Sequence, residues 1–208
     1  FQELENLRAE AVTLNNKYVK EKMPATTAHS ISVEHYGETI GVTSLITLKN
    51  DSDEGIEKLI FSLNDGFDIG SIKLNGEETP FLREKHLVMI SDQVSLNPGE
   101  QATVEFNYSG AVNEALCYLD IDEETIQKKY GRFVLNVDKR YAFITSDYLL
   151  LTPDKHWYHQ MGVTYSSENV SWHRHQFIDF NLKVKTKEGL TAVSQGKVNE
   201  ISAGQFTF

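Results

Sequence analysis

The chain has 208 residues, 40% hydrophobic and 24% charged, a balance that suits one large domain with a sizeable core and excludes a disordered segment. Thirty acidic residues against 20 basic ones give a formal net charge of -10, which argues against a nucleic-acid binder, since that role needs clustered Lys and Arg on phosphates. The single cysteine, Cys117, excludes an internal disulfide, and no run nears the ~20 apolar residues of a membrane-spanning helix.

Phe1, Leu4, Leu7, Ala11, Leu14 and Tyr18 recur at steps of three and four, opposite Glu3, Arg8, Glu10 and Lys17, which predicts an amphipathic helix in residues 1–24 ended by Pro24. Such a helix packs against a sheet, pairs in a short coiled coil, or continues from a membrane span. From Ile31 the period changes to two. Strands are predicted at Thr39 to Leu48, Leu59 to Leu63, Ile69 to Leu74, Leu87 to Ile90 and Ala102 to Tyr108. They are separated by Asn50 to Gly55, Asn64-Asp65-Gly66, Asn75-Gly76 and Asn97-Pro98-Gly99-Glu100, all turn chemistry. The fold class that follows is all-β and mainly antiparallel, a sandwich or saddle of packed sheets over residues 25–208.

The second half is less regular. A short helix is predicted near 121–129, then strands at Phe133-Leu135-Val137, Tyr141 to Leu151, Phe180 to Val184 and Thr191 to Ser194, so that each half could form its own sheet packed on the other. Asp120, Asp122, Glu123 and Glu124 lack the glycine and spacing of a calcium loop and read as a capped helix start. Cys117 lies in an apolar run and reads as a buried thiol. Asn50, Asn107 and Asn169 each open an Asn-x-Ser sequon, a pattern common by chance. The chain opens on Phe1 rather than Met and closes on Gln205-Phe206-Thr207-Phe208, which reads as an interrupted strand, so we expect a piece cut from a longer chain.

No His-Glu-x-x-His, Walker loop, Gly-x-Ser-x-Gly or Cys-x-x-Cys is present, so no catalytic residue, metal ligand or cofactor is assigned. The one local concentration is histidine and aromatic: His156, Trp157, Tyr158 and His159, then Tyr165, Trp172, His173 and His175. On a strand His173 and His175 share a face, a start for a metal site that would still need further convergent ligands. Trp157, Tyr158, His159, Trp172, His173 and His175 are therefore the candidate binding residues, with core packing of the same rings as the competing reading.

From Ile31 to Gly110 the order of pieces resembles the N-terminal β domain of zinc aminopeptidases of the aminopeptidase N type. The resemblance is carried by Leu59-Ile60-Phe61-Ser62-Leu63-Asn64, by Ile69-Gly70-Ser71-Ile72-Lys73-Leu74-Asn75-Gly76, and by Leu96-Asn97-Pro98-Gly99-Glu100 leading to Val104-Glu105-Phe106-Asn107-Tyr108-Ser109-Gly110. Phe180-Asn181-Leu182-Lys183-Val184 and Gly189 to Gly196 look like that domain's closing strands. Where the family carries a Phe-Pro-Cys-x-Asp-type segment, this chain has Leu151 to Gln160, and no residue matches the family's substrate-amine-binding glutamine. The zinc-binding helix and its glutamate would belong to a following domain. The resemblance thus implies a noncatalytic, substrate-flanking β domain whose partners are the next domain of the same chain and a peptide substrate. It is similar, too, to extracytoplasmic modules of bacterial membrane proteins in which an aminopeptidase-like region follows transporter-permease spans, with no membrane insertion of this segment itself. The rival reading is a stand-alone module binding a peptide or carbohydrate through the Trp157 to His175 surface. A hydrolase with a scattered active site is a third.

Overall fold

The computed structural model describes residues 2–113, 142–163 and 178–208. The predicted 121–129 helix, the strand at Phe133-Leu135-Val137, Cys117, the acidic run from Asp120 and the Asn169 sequon lie outside them.

Helix α1 (Gln2–Tyr18) precedes a long antiparallel ribbon of β1 (Ala25–His35), β2 (Ile40–Lys49) and β8 (Gln101–Gly110). Between β2 and β8 the chain forms β3 (Leu59–Ser62), β4 (Phe67–Leu74), β5 (Glu77–Glu78), β6 (Leu82–Glu84) and β7 (Leu87–Ile90). The later strands are β9 (Phe143–Ile144), β10 (Leu149–Leu150), β11 (Gln160–Met161), β12 (Asp179–Lys185), β13 (Asn199–Ser202) and β14 (Gln205–Thr207). They build an eight-stranded sheet in the order β13-β14-β12-β1-β2-β8-β4-β5 and a four-stranded sheet in the order β11-β3-β7-β6, with β9 and β10 a separate hairpin. Among the described residues every strand pairing is antiparallel except β1 with β12.

The two sheets face one another. Ile31, Val33, Val42, Ile46, Val104 and Phe106 line the inner face of the large sheet, because period-two alternation puts every second side chain inward. Leu59, Phe61, Val88 and Ile90 meet them from the small sheet. The residues between, Ile60, Leu87 and Met89, point the other way and pack with Leu14 of α1. Both faces of the small sheet are therefore covered, which is why β3 and β7 are apolar at almost every position rather than alternating. The helix thus acts as a third layer. Ala11, Leu14 and Asn15 are buried while Leu7 is exposed, and His86 Nε2 donates to Asn15 Oδ1 at 2.7 Å beneath it.

Turn chemistry sets the registers. Asn75 and Gly76 both have positive φ (52° and 91°), as a tight hairpin turn between paired Leu74 and Glu77 requires. Gly66 has another constraint: a Cβ there would meet the Ala111 carbonyl oxygen at 2.2 Å, so only glycine fits.

Several expectations are corrected. The helix stops at Tyr18, six residues before Pro24, and β1 begins at Ala25 rather than Ile31. The strand expected over Tyr141 to Leu151 is, from Ala142 on, two short strands, because Thr145 turns the chain by bonding the Tyr148 carbonyl (2.6 Å) and accepting from its N–H (3.1 Å). Thr191 to Ser194 is not a strand: left-handed Gly189 and Gly196 bracket it and Val193 is 90% exposed, so the closing hairpin forms instead from β13 and β14. The two halves of the chain do not make separate sheets, since β12 joins β1 and β11 joins β3. The Asn50 sequon is structural: its side-chain amide is fully buried and donates to the Glu54 and Leu96 carbonyls at 2.8 Å each.

Phe61 sits at the centre of the interface, fully buried and edge-on to Phe106 with ring centroids 5.0 Å apart. Phe61→Ala is expected to lower unfolding free energy by about 3–5 kcal/mol, read from the urea midpoint at constant slope.

Candidate functional site

The segment that drew attention in sequence, residues 152–162, closes one end of the sandwich. A short 3₁₀ turn at Pro153–Lys155 leads through left-handed His156 (φ 48°) into β11, which pairs with β3 at Gln160↔Ser62 and Met161↔Phe61. Asn64 anchors it. Its backbone N–H donates to the His156 carbonyl (2.9 Å), its side-chain amide donates to the Lys155 carbonyl (3.1 Å), and its Oδ1 accepts from the backbone N–H groups of Gly66 and Asn113. A buried amide with all these bonds made is a rigid clasp.

The candidate residues divide. Trp157 is 5% exposed and belongs to the core, with its carbonyl accepting from the buried Tyr108 hydroxyl at 3.0 Å. His159 is fully buried, stacked on Phe106 (centroids 4.0 Å, planes 21° apart) and edge-on to Phe61 at 5.5 Å. These two rings are packing and not an exposed contact surface, because pairing of β11 with β3 draws the residues just before it into the inter-sheet layer. Tyr158 is half-buried, edge-on to both Trp157 and His29. Trp172, His173 and His175 lie outside the described residues.

Sequence reasoning missed His29 and His35. Both sit on the inward face of β1 in step with Ile31 and Val33, and continuing the alternation backwards and forwards along the strand would have found them. His29 shares a hydrogen bond with the Ser44 hydroxyl (2.7 Å) and lies 4.9 Å from His159, centroid to centroid. His35 Nε2 donates to the Thr145 carbonyl at 2.8 Å, tying the end of β1 to the β9-β10 hairpin. The neighbouring imidazoles of His29 and His159 fall short of a zinc site, which needs three or four ligands, and among the described residues no group of three or more His, Cys, Asp or Glu is placed to hold a metal.

Burial governs the titration of His29, His86 and His159. It pushes His29 down to about 4 and His86, beside Lys85 and Arg83, likewise to about 4. Burial, with His29 adding to it, holds His159 well below the ordinary range. Neither ring nitrogen of His159 has a hydrogen-bond partner among the described residues.

No protein-family model matches the chain, and no curated protein sequence matches it. Solved structures do. An M1 zinc metallopeptidase from Deinococcus radiodurans superposes with a TM-score of 0.56 at 11% identity, over 90% of this chain and 38% of that one. A mutant M1 zinc metallopeptidase from the same organism, bound to a Tyr-Ser-Ala substrate, gives 0.54 at 12% identity, over 89% and 38%. The chain thus spans well under half the length of these enzymes.

The folded protein holds His29, His86 and His159 neutral, whereas the same groups in the unfolded chain take up protons near 6.5. Stability is accordingly full above about pH 6.5 and is lost as pH falls toward about 4, by on the order of 3 kcal/mol for His29 alone. Urea midpoints measured from pH 7.5 to 4.5 are expected to show this decline. His159→Phe, which keeps the stack on Phe106 and removes one titrating ring, is expected to flatten it.

At the level of fold, this chain is similar to the N-terminal β domain of M1 zinc metallopeptidases.

Proposed function

We propose that the chain is a noncatalytic accessory β domain of an aminopeptidase-like protein, which walls a substrate cleft or positions the domain that follows it. The observation that carries this reading is the coverage: nine-tenths of this chain corresponds to little more than a third of an M1 zinc metallopeptidase. The ordered pieces from Leu59 to Gly110 and from Phe180 to Gly196, which resemble the same domain in sequence, support it independently. Physically, the buried histidines and aromatic rings are already used in packing, and the clasp at Asn64 fixes the 152–162 segment rather than leaving it to move with substrate.

The proposal extends to placement. We propose, on the sequence resemblance to extracytoplasmic modules of bacterial transporter-permease proteins, that the domain works on the extracytoplasmic side of a bacterial membrane. No helix among the described residues is long and apolar enough to cross a membrane. The packing of Ala11 and Leu14 against the small sheet makes the second half of α1 part of the domain.

Two measurements test the reading. The isolated chain, with or without added zinc, is expected to release no product from a panel of aminoacyl-4-nitroanilides, and the parent reading frame to carry His-Glu-x-x-His downstream of Phe208. Hydrolysis by the isolated chain with stoichiometric metal, abolished in His173→Ala, would establish an active site within these residues and end the accessory reading. A parent frame lacking the zinc motif, together with ligand capture by the isolated chain, would favour a stand-alone binding module.

A further inference from the structure

The outer face of the eight-stranded sheet carries a depression of about 470 Å³ that neither the core nor the accessory role uses. Cross-strand register builds it. One row runs Ser32, Thr43, Asn107, Ser71 across β1, β2, β8 and β4. Thr43 donates to Asn107 Oδ1 at 2.8 Å, and the Asn107 amide donates to Ser71 at 3.2 Å. The next row runs Glu34, Gly41, Ser109, Asp68 across the same strands. Small side chains at Ser32, Gly41 and Ser109, and the irregularity of β4 at Gly70, lower the floor of the sheet here.

An aromatic wall stands over that floor. Tyr36 is 61% exposed, and its ring covers Gly41 so closely that a Cβ there would come within 2.9 Å of it. The backbone beneath the ring is tied down, since the Tyr36 N–H donates to the Thr39 carbonyl at 2.9 Å, and the ring itself lies against Gly41. An exposed ring on a fixed backbone has less entropy to lose on contact.

The chemistry of the site selects its ligand. An extended peptide gains main-chain bonds at an open strand edge, but β2 and β8 are interior strands whose backbone groups are already paired on both sides. Phosphate groups would meet Glu34 and Asp68 at the rim of a chain with net charge -10. A neutral polyhydroxylated ring fits both conditions: its C–H face stacks on an aromatic plane, while its hydroxyls bond the short neutral and acidic side chains opposite. We propose that this depression is a carbohydrate-binding site, with Tyr36 as the stacking platform and Ser109 and Asp68 as the hydroxyl-bonding groups, while Asn107, whose amide hydrogens are taken by Ser71 and Glu105, fixes the floor and offers only the second lone pair of its Oδ1. It is independent of any peptidase role of the parent protein.

The test is a titration of the full chain, followed by ¹⁵N–¹H chemical shifts, with glucose, galactose, mannose, N-acetylglucosamine and the β-1,4-linked trimers of glucose and N-acetylglucosamine. At least one saccharide is expected to bind saturably and shift the amides of Thr43, Asn107 and Ser109. Tyr36→Ala is expected to weaken that binding about tenfold and Tyr36→Phe, which keeps the ring, to retain it. Ser109→Leu, checked for folding by circular dichroism, is expected to fill the depression and abolish binding. The proposal is overturned if no saccharide of the panel shifts these amides, if Tyr36→Ala binds as well as the parent chain, or if tetra-alanine shifts them while no saccharide does.

Discussion

The contact of Phe61 with Phe106 is the constraint on which the rest of the molecule depends. It fixes the small sheet against the large one at their centres, and His159 completes it by lying flat on Phe106 and edge-on to Phe61. Three buried rings from three distant parts of the chain share one site, so the layers cannot slide without uncovering all of them. Close packing of this kind makes a core behave as a unit. The segment carrying His159 is held because its ring is held; the Asn64 clasp then fixes the backbone before it at Lys155 and His156, and Ile60 and Ser62 fix it after at Gly162.

Once the inner faces are committed, the outer faces acquire their roles by default. On the small sheet the outer face is apolar, and α1 covers it through Ala11 and Leu14. The outer face of the large sheet is instead polar, bonded across strands from Thr43 to Asn107 to Ser71, and stays open to solvent. The domain therefore has a sealed side and an available side. An accessory domain can use the first for rigidity and the second for contact.

The histidines illustrate how little a residue type says about its job. His29, His86 and His159 are all kept neutral by burial, and each does structural work: one bonds Ser44, one bonds Asn15 beneath the helix, one stacks in the core. Imidazoles in a cleft with carboxylates invite a catalytic reading. Here their neighbours are aromatic rings, a hydroxyl, an amide and, for His86, the cations of Lys85 and Arg83, and the effect of acid falls on stability.

How much of this was legible follows from the range of each interaction. Strands with period-two alternation, the apolar β3 and β7, and the Asn75-Gly76 turn depend on residues close in sequence, so the sequence by itself determined an all-β body and most of its first-half strand boundaries. Where local signals were mixed, as at Thr191 to Ser194, tertiary pairing with β12 chose a different hairpin. The parallel docking of β12 on β1, the burial of Trp157 and His159, and the alignment of Ser32, Thr43, Asn107 and Ser71 into one row were decided only by the tertiary structure. The physical reason is register: sliding one strand by a single residue would turn each of these side chains to the opposite face, and nothing within a strand's own sequence states which neighbour it will meet.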